Sequence, residues 1–160
     1  MSDPLTLTFE FACSVEHAFD TWTSRIDSWW PRDHTVSAEA GLTVVLEREV
    51  GGRIFERTSA GAEYDWGEVT VWEPPKRLSY TWHLGTDPAE ATEVDIRFRP
   101  IGDIVTRVEI EHRGWDRLGA AAADRRRRNQ AGWNSLLPYY LAAVDALPGT
   151  APEPSPLERN

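Results

Sequence analysis

Between residues 42 and 112 the chain is cut by glycine and proline pairs into six short segments of period two, and after them only one apolar stripe of helical period remains. That pattern leaves few architectures open. Residues 42–50, 53–58, 62–73, 78–84, 92–99 and 104–112 read as strands. Gly51-Gly52, Ser59-Ala60-Gly61, Pro74-Pro75, Gly85 with Pro88, and Pro100-Ile101-Gly102-Asp103 separate them. Connections this short join antiparallel neighbours, hence a meander, with Gly51-Gly52 as a two-residue hairpin turn. One more strand comes first, where residues 5–12 alternate Leu-Thr-Leu-Thr-Phe-Glu-Phe-Ala. Ser14 then predicts a helix N-cap, with Glu16 in the first turn and Val15, Ala18, Phe19 and Trp22 at helical spacing to about Thr23. Ile26, Trp29 and Trp30 predict a second short helix stopped by Pro31.

The late stripe is Trp133, Leu136, Leu137, Tyr140, Leu141, Val144 and Leu147, on a helix that begins near Leu118 or Ala120. Gly132 and Pro138 lie inside it and predict a kink. Pro148-Gly149 ends it, and Pro152, Pro154 and Pro156 predict a disordered tail over 148–160, leaving 1–147 as one domain. The order predicts an α+β fold. A curved antiparallel sheet of six to seven strands wraps one long C-terminal helix, with two short helices after the first strand. One helix need not fill the concave face, so a cavity beside it is expected.

Composition narrows the function. The formal net charge of −9 argues against nucleic acid and anionic membrane as partners. No apolar run approaches the roughly 20 residues of a bilayer span. Residues 1–10 lack the basic and apolar blocks of a secretory signal. Cys13 is the only cysteine, which excludes an intramolecular disulfide and fits a reducing cytoplasm. A monomer or a homodimer is expected. No phosphate-binding glycine loop, dinucleotide fingerprint, zinc-protease motif or nucleophile elbow occurs, and no His or Cys pair has metal-ligand spacing. The expectation is a protein without a cofactor or metal.

Eight Trp stand against five Phe and four Tyr. They serve either a core or a cavity wall, since pockets are lined mainly by apolar and aromatic groups. Alternation puts Leu78, Tyr80 and Trp82 on one face, Val94, Ile96 and Phe98 on another, and Val108, Ile110 and His112 on a third, all expected to point at the helix. On 62–73 either face could point inward, and a bulge near Gly67 would switch them. The expected ligand contacts are Trp29 and Trp30 at the cavity mouth and Phe55, Trp66, Tyr80, Trp82, Phe98 and His112 from the strands. Trp115, Trp133 and Tyr140 complete them. His112 is also a candidate general base, against a hydrogen-bonded, half-buried alternative. Arg53 serves an ion pair or the pocket edge. His34 and His83 are expected isolated and exposed. Arg125 to Arg128 read as a solvated, salt-bridged helix face or as a small basic patch.

Trp29-Trp30-Pro31, Gly51-Gly52-Arg53, Trp66-Gly67-Glu68-Val69, the run from Glu73-Pro74-Pro75-Lys76-Arg77-Leu78 to Ser79-Tyr80-Thr81-Trp82, and Gly132-Trp133 resemble the SRPBCC (START-like, helix-grip) superfamily. Within it they are similar to the family named after the heat-shock-protein ATPase activator Aha. The resemblance covers about residues 5–147. It implies the fold, whereas the superfamily hosts carriers, cyclases and stress proteins alike. A narrower resemblance runs through Gly102, Thr106-Arg107-Val108-Glu109-Ile110-Glu111-His112, Trp115-Asp116-Arg117-Leu118-Gly119 and Gly132-Trp133. These look like the enediyne self-resistance proteins of the calicheamicin resistance type. Such proteins bind the antibiotic and sacrifice their own backbone at a glycine, and Gly102 holds the matching position. Its alternative reading is a turn glycine. Three functions follow as expectations: sequestration of a hydrophobic, aromatic small molecule, a polyketide cyclase or dehydratase, and a co-chaperone acting by protein contact.

Overall fold

β1 (Leu5–Phe11) opens the described chain and lies beside its last strand, so the sheet's first and final strands are neighbours. The fold is taken from a computed structural model that describes residues 3–145. The expected tail over 148–160 lies outside the described residues. After β1 come α1 (Val15–Trp22), α2 (Ile26–Trp29), β2 (Thr43–Leu46), β3 (Arg53–Arg57), β4 (Glu63–Glu73), β5 (Arg77–Trp82), β6 (Thr92–Gly102), β7 (Val105–Arg113) and α3 (Ala122–Asp145). The seven strands form one antiparallel sheet in the order β1-β7-β6-β5-β4-β3-β2. This is the curved sheet gripping a long helix that the segment order predicts.

Ser14 caps α1 as expected, its hydroxyl accepting the His17 amide N–H at 3.2 Å. The apolar face of α1 buries Ala18, Phe19 and Trp22. α3 lies against α1, α2 and β1 and buries Trp133, Leu136, Tyr140, Ala143 and Val144. It starts later than expected, because a 3-10 segment over Trp115–Ala121 precedes it and Gly119 there leaves helical geometry at φ 57°. Gly132 and Pro138 lie within a single helix assigned from Ala122 to Asp145, where the sequence predicts a kink.

One connection differs from expectation. β2 stops at Leu46, and residues 47–52 form the turn. Gly51-Gly52 is therefore no two-residue hairpin. It reaches across to β4, with Gly51 N donating to Val69 O and Val69 N to Gly52 O, both at 2.8 Å. Gly51 has φ 87°, which glycine adopts without a Cβ penalty. β4 carries the expected bulge near Gly67 and a second one. Pairing slips between Ile54 and Phe55 on β3 and again between Val69 and Val71 on β5's side. Each slip switches the faces. Trp66, Val69 and Trp72 consequently all turn toward the core, three residues apart, while Glu68 and Thr70 face solvent. A Cβ on Gly67 would sit 1.8 Å from the Thr81 carbonyl oxygen, so only glycine fits this approach to β5.

Candidate functional site

The concave face is closed at one end and hollow at the other. The closed end is built on Tyr140, whose ring meets Phe11, Trp22 and Trp29 at centroid distances of 5.8, 4.7 and 5.3 Å. Its hydroxyl donates to Ala18 O at 2.8 Å, and the Trp29 indole N–H donates to Thr21 O at 2.7 Å. Burial raises the Tyr140 phenol well above its ordinary range. Each such ring removes about 150–250 Å² from water, worth about 4–6 kcal/mol at 25 cal/mol/Å². Phe98 lies on the inner face at this same end, its ring 5.2 Å from Phe19. Tyr80 is buried beside Trp22, and burial raises its phenol too. None of these expected contacts borders the hollow.

The hollow is a cavity of about 290 Å³ between the mouth-side half of α3, the end of β5 and the segment after α2. Pro31 forces Trp30 out of helical geometry, to φ −65° and ψ 122°, which ends α2 and swings the ring inward. Trp30 donates its indole N–H to His34 O at 2.9 Å and so fixes the loop over the mouth. Trp82 ends β5 and forms a half-buried second wall, its ring 5.8 Å from that of Trp30. Trp133 and Leu136, one turn apart on α3, form the third. Behind them Trp66 packs on Trp30 and Trp82 at 5.1 and 5.8 Å and supports both.

His112 stands behind Trp133 rather than in the cavity. Trp133 Nε1 donates to His112 Nδ1 at 3.0 Å, so Nε2 carries the imidazole proton and lies 2.6 Å from Thr92 Oγ1. Trp115 covers the ring at 4.4 Å and donates its N–H to His112 O at 2.9 Å. Burial pulls the pKa of His112 down to about 3. A general base needs a free acceptor nitrogen facing substrate, and this ring has none. It is a neutral anchor that holds the Trp133 wall upright. Trp115 shares that role and is fully buried.

Two expected residues lie off the concave face altogether. Phe55 is opposite Val45 and Asp65 in register, on the outer side of β3, where the Arg53 guanidinium covers its ring at 3.9 Å. Its near-complete burial comes from that cover and not from the core. Arg53 pairs there with Asp65 at 3.1 Å and Glu63 at 3.2 Å. Gly102 ends β6 at the hairpin tip, opposite Val105, with open space around it. The strand runs eleven residues from Thr92 at the mouth to Gly102, ten steps or about 33 Å at the usual rise per residue.

Other residues enter the site that the pattern did not single out. His34 borders the cavity, its Nδ1 3.0 Å from the Asp33 carboxylate. Arg125, Asn129, Gly132 and Leu136 follow one another at spacings of four, three and four along one face of α3, the signal that would have found them. Arg125 pairs with Glu90 at 2.9 Å and Arg128 with Asp124 at 3.1 Å, while Arg126 holds the Asp3 and Pro4 carbonyls. The basic run is thus a salt-bridged face that also forms the cavity rim. A Cβ on Gly132 would meet nothing within 4 Å, so the missing side chain leaves cavity volume.

Glu56, unread in the sequence, is buried on the inner face of β3 and accepts the Val36 and Ser37 amide N–H groups at 2.6 and 2.8 Å and the Trp66 indole N–H at 2.8 Å. Burial opposes its charge, but these donors outweigh it and hold the carboxyl below its ordinary range. Among the described residues no group of three or more His, Cys, Asp or Glu is placed to hold a metal ion, and no helix is long and apolar enough to cross a membrane.

A seven-stranded half-barrel closed on a C-terminal helix defines a helix-grip, SRPBCC-type protein. The chain belongs to the Activator of Hsp90 ATPase homolog 1-like protein family, whose model matches residues 12–144. It is similar to an anthrahydroquino-γ-pyrone synthase, Txn09, at 36% identity over 77% of this chain and 84% of that one, with a TM-score of 0.55. It is also similar to CalC, a self-sacrificing resistance protein from Micromonospora echinospora, at 28% identity over 89% and 94% of the two chains and a TM-score of 0.68. CalU16 from the same organism shares the fold at 19% identity, 89% and 76% coverage and a TM-score of 0.63. The search of curated proteins gave no match.

Proposed function

We propose that the chain binds a planar, polycyclic aromatic small molecule between Trp30, Trp82 and Trp133. The observation that carries this reading is the cavity itself: three indole walls around about 290 Å³ at one end of the concave face. That volume lies at the lower edge of the roughly 300–1,000 Å³ usual for ligand pockets. It suits a compact ring system whose substituents project past the arginine rim. The likeness to an anthrahydroquino-γ-pyrone synthase and to a self-sacrificing resistance protein supports the same ligand class. Sequestration in the cytoplasm, as in self-resistance, is the biological role proposed. A compact ligand seated at Trp82 lies far from Gly102, so binding rather than backbone sacrifice is the activity proposed.

Titration with anthraquinone tests this. Saturable quenching of tryptophan fluorescence and a rise in melting temperature are expected. Neither signal at ligand saturation would overturn the proposal.

Cyclisation is a second reading, favoured by the 36% identity to Txn09 and by the His34–Asp33 pair at the mouth. His34 is then the proton-accepting residue. Unchanged turnover in His34→Ala would remove it. The co-chaperone reading has little support, because the outer face carries ion pairs such as Arg77–Asp95 and Arg99–Glu109 and the exposed large apolar residues are scattered.

A further inference from the structure

A niche of about 30 Å³ adjoins the cavity, sharing Trp82, Arg125 and Asn129 with it and closed by His83, Glu90 and Thr92. That is about the room one water takes in the liquid, or one oxygen substituent. Two of its polar groups are already committed. The Thr92 hydroxyl lies between His112 Nε2 at 2.6 Å and Trp82 O at 3.3 Å, and Glu90 holds Arg125 at 2.9 Å. Three are not. His83 Nδ1 is buried without a partner. Asn129 spends its Nδ2 on Arg125 O at 2.9 Å, and its side-chain oxygen meets no donor among the described residues. The Trp82 indole N–H meets no acceptor among them either. His83 is thus neither isolated nor exposed, contrary to the sequence expectation.

We infer that this niche is a subsite for one hydroxyl oxygen on the ligand's aromatic ring, so that the cavity selects hydroxylated polycycles over bare ones. The inference rests on the aromatic-ligand reading above. An unmatched buried polar atom costs about 1–3 kcal/mol; in the niche that atom is His83 Nδ1, and a hydroxyl meets it or the more accessible Asn129 oxygen while pairing with the Trp82 N–H. It accepts from the Trp82 N–H and donates to the Asn129 oxygen or to His83. A carbonyl satisfies only the donor, and a methyl satisfies neither.

Calorimetric titration with 2-hydroxyanthraquinone and its near-isostere 2-methylanthraquinone separates the possibilities. The hydroxyl compound is expected to bind at least about tenfold tighter, since a site with polar groups to match rejects the analogue that lacks them. Asn129→Leu brings the two dissociation constants within about twofold, and Asn129→Asp, which keeps an acceptor, restores the gap. Equal binding by the unaltered chain, or a preference that survives both Asn129→Leu and His83→Phe, overturns the subsite and leaves the cavity reading standing. Binding of neither compound overturns both.

Discussion

The two ends of the concave face use the same side chains to opposite effect. Around Tyr140 every ring lies against another ring, and the hydroxyl and the Trp29 N–H are tied to backbone carbonyls of α1. Around Trp82 the rings keep one face bare, while a buried polar atom is left unspent at each end, Trp22 Nε1 at the first and His83 Nδ1 at the second. What differs is the cover. α1 lies over the first end, while over the second lie only the loop pinned by Trp30 and the Gly132 notch in α3. An indole is a plug where a helix lies on it and a wall where nothing does.

The largest expected effect is on stability at the closed end. Tyr140→Ala should cost about 3–5 kcal/mol in urea denaturation, through the cavity it leaves and the stranded Ala18 carbonyl. Trp82→Ala should cost less than half as much and abolish quenching by anthraquinone. Comparable costs at both positions would erase the distinction.

The next effect lies at the boundary, where His112 holds Trp133. Its pKa is about 3 in the fold and about 6.5 when unfolded. The unfolded chain therefore binds more protons between those values. The stability due to a neutral His112 is complete above about pH 6.5 and is lost as pH falls toward 3, by up to about 1.4 kcal/mol per unit. Melting curves from pH 7 to 4.5 should show that slope, and His112→Gln should flatten it. A slope unchanged by the substitution would mean the ring is not the neutral anchor described.

Gly132→Leu sharpens the comparison from the open side. It should raise stability by up to about 1 kcal/mol through helix propensity while filling the notch and weakening anthraquinone binding at least about tenfold by calorimetry. The smallest effect belongs to the rim: Arg128→Ala should change stability by less than about 0.5 kcal/mol in the same assay, since its pairing with Asp124 is exposed.

Much of this was legible in the sequence. Turn residues and period two gave the strands, and the stripe from Trp133 to Val144 gave the gripping helix. Trp30, Trp82 and Trp133, which the sequence pattern points toward a cavity, border it. Phe55 was misplaced because its burial comes from arginine cover on the outer face, which alternation does not encode. His34 and His83 were set aside because their neighbours at the mouth are distant in sequence. Glu56 escaped for the same reason, its donors lying about twenty residues earlier.

The doubly bulged β4 has a consequence for how this chain tolerates insertion and deletion. With Trp66, Val69 and Trp72 turned inward at intervals of three, removing the one extra residue at either bulge would restore plain alternation and leave the large side chains on the inner face. Each bulge is therefore a place where this strand can lose one residue without exchanging its faces, whereas an insertion or deletion where pairing is regular would turn every later side chain over.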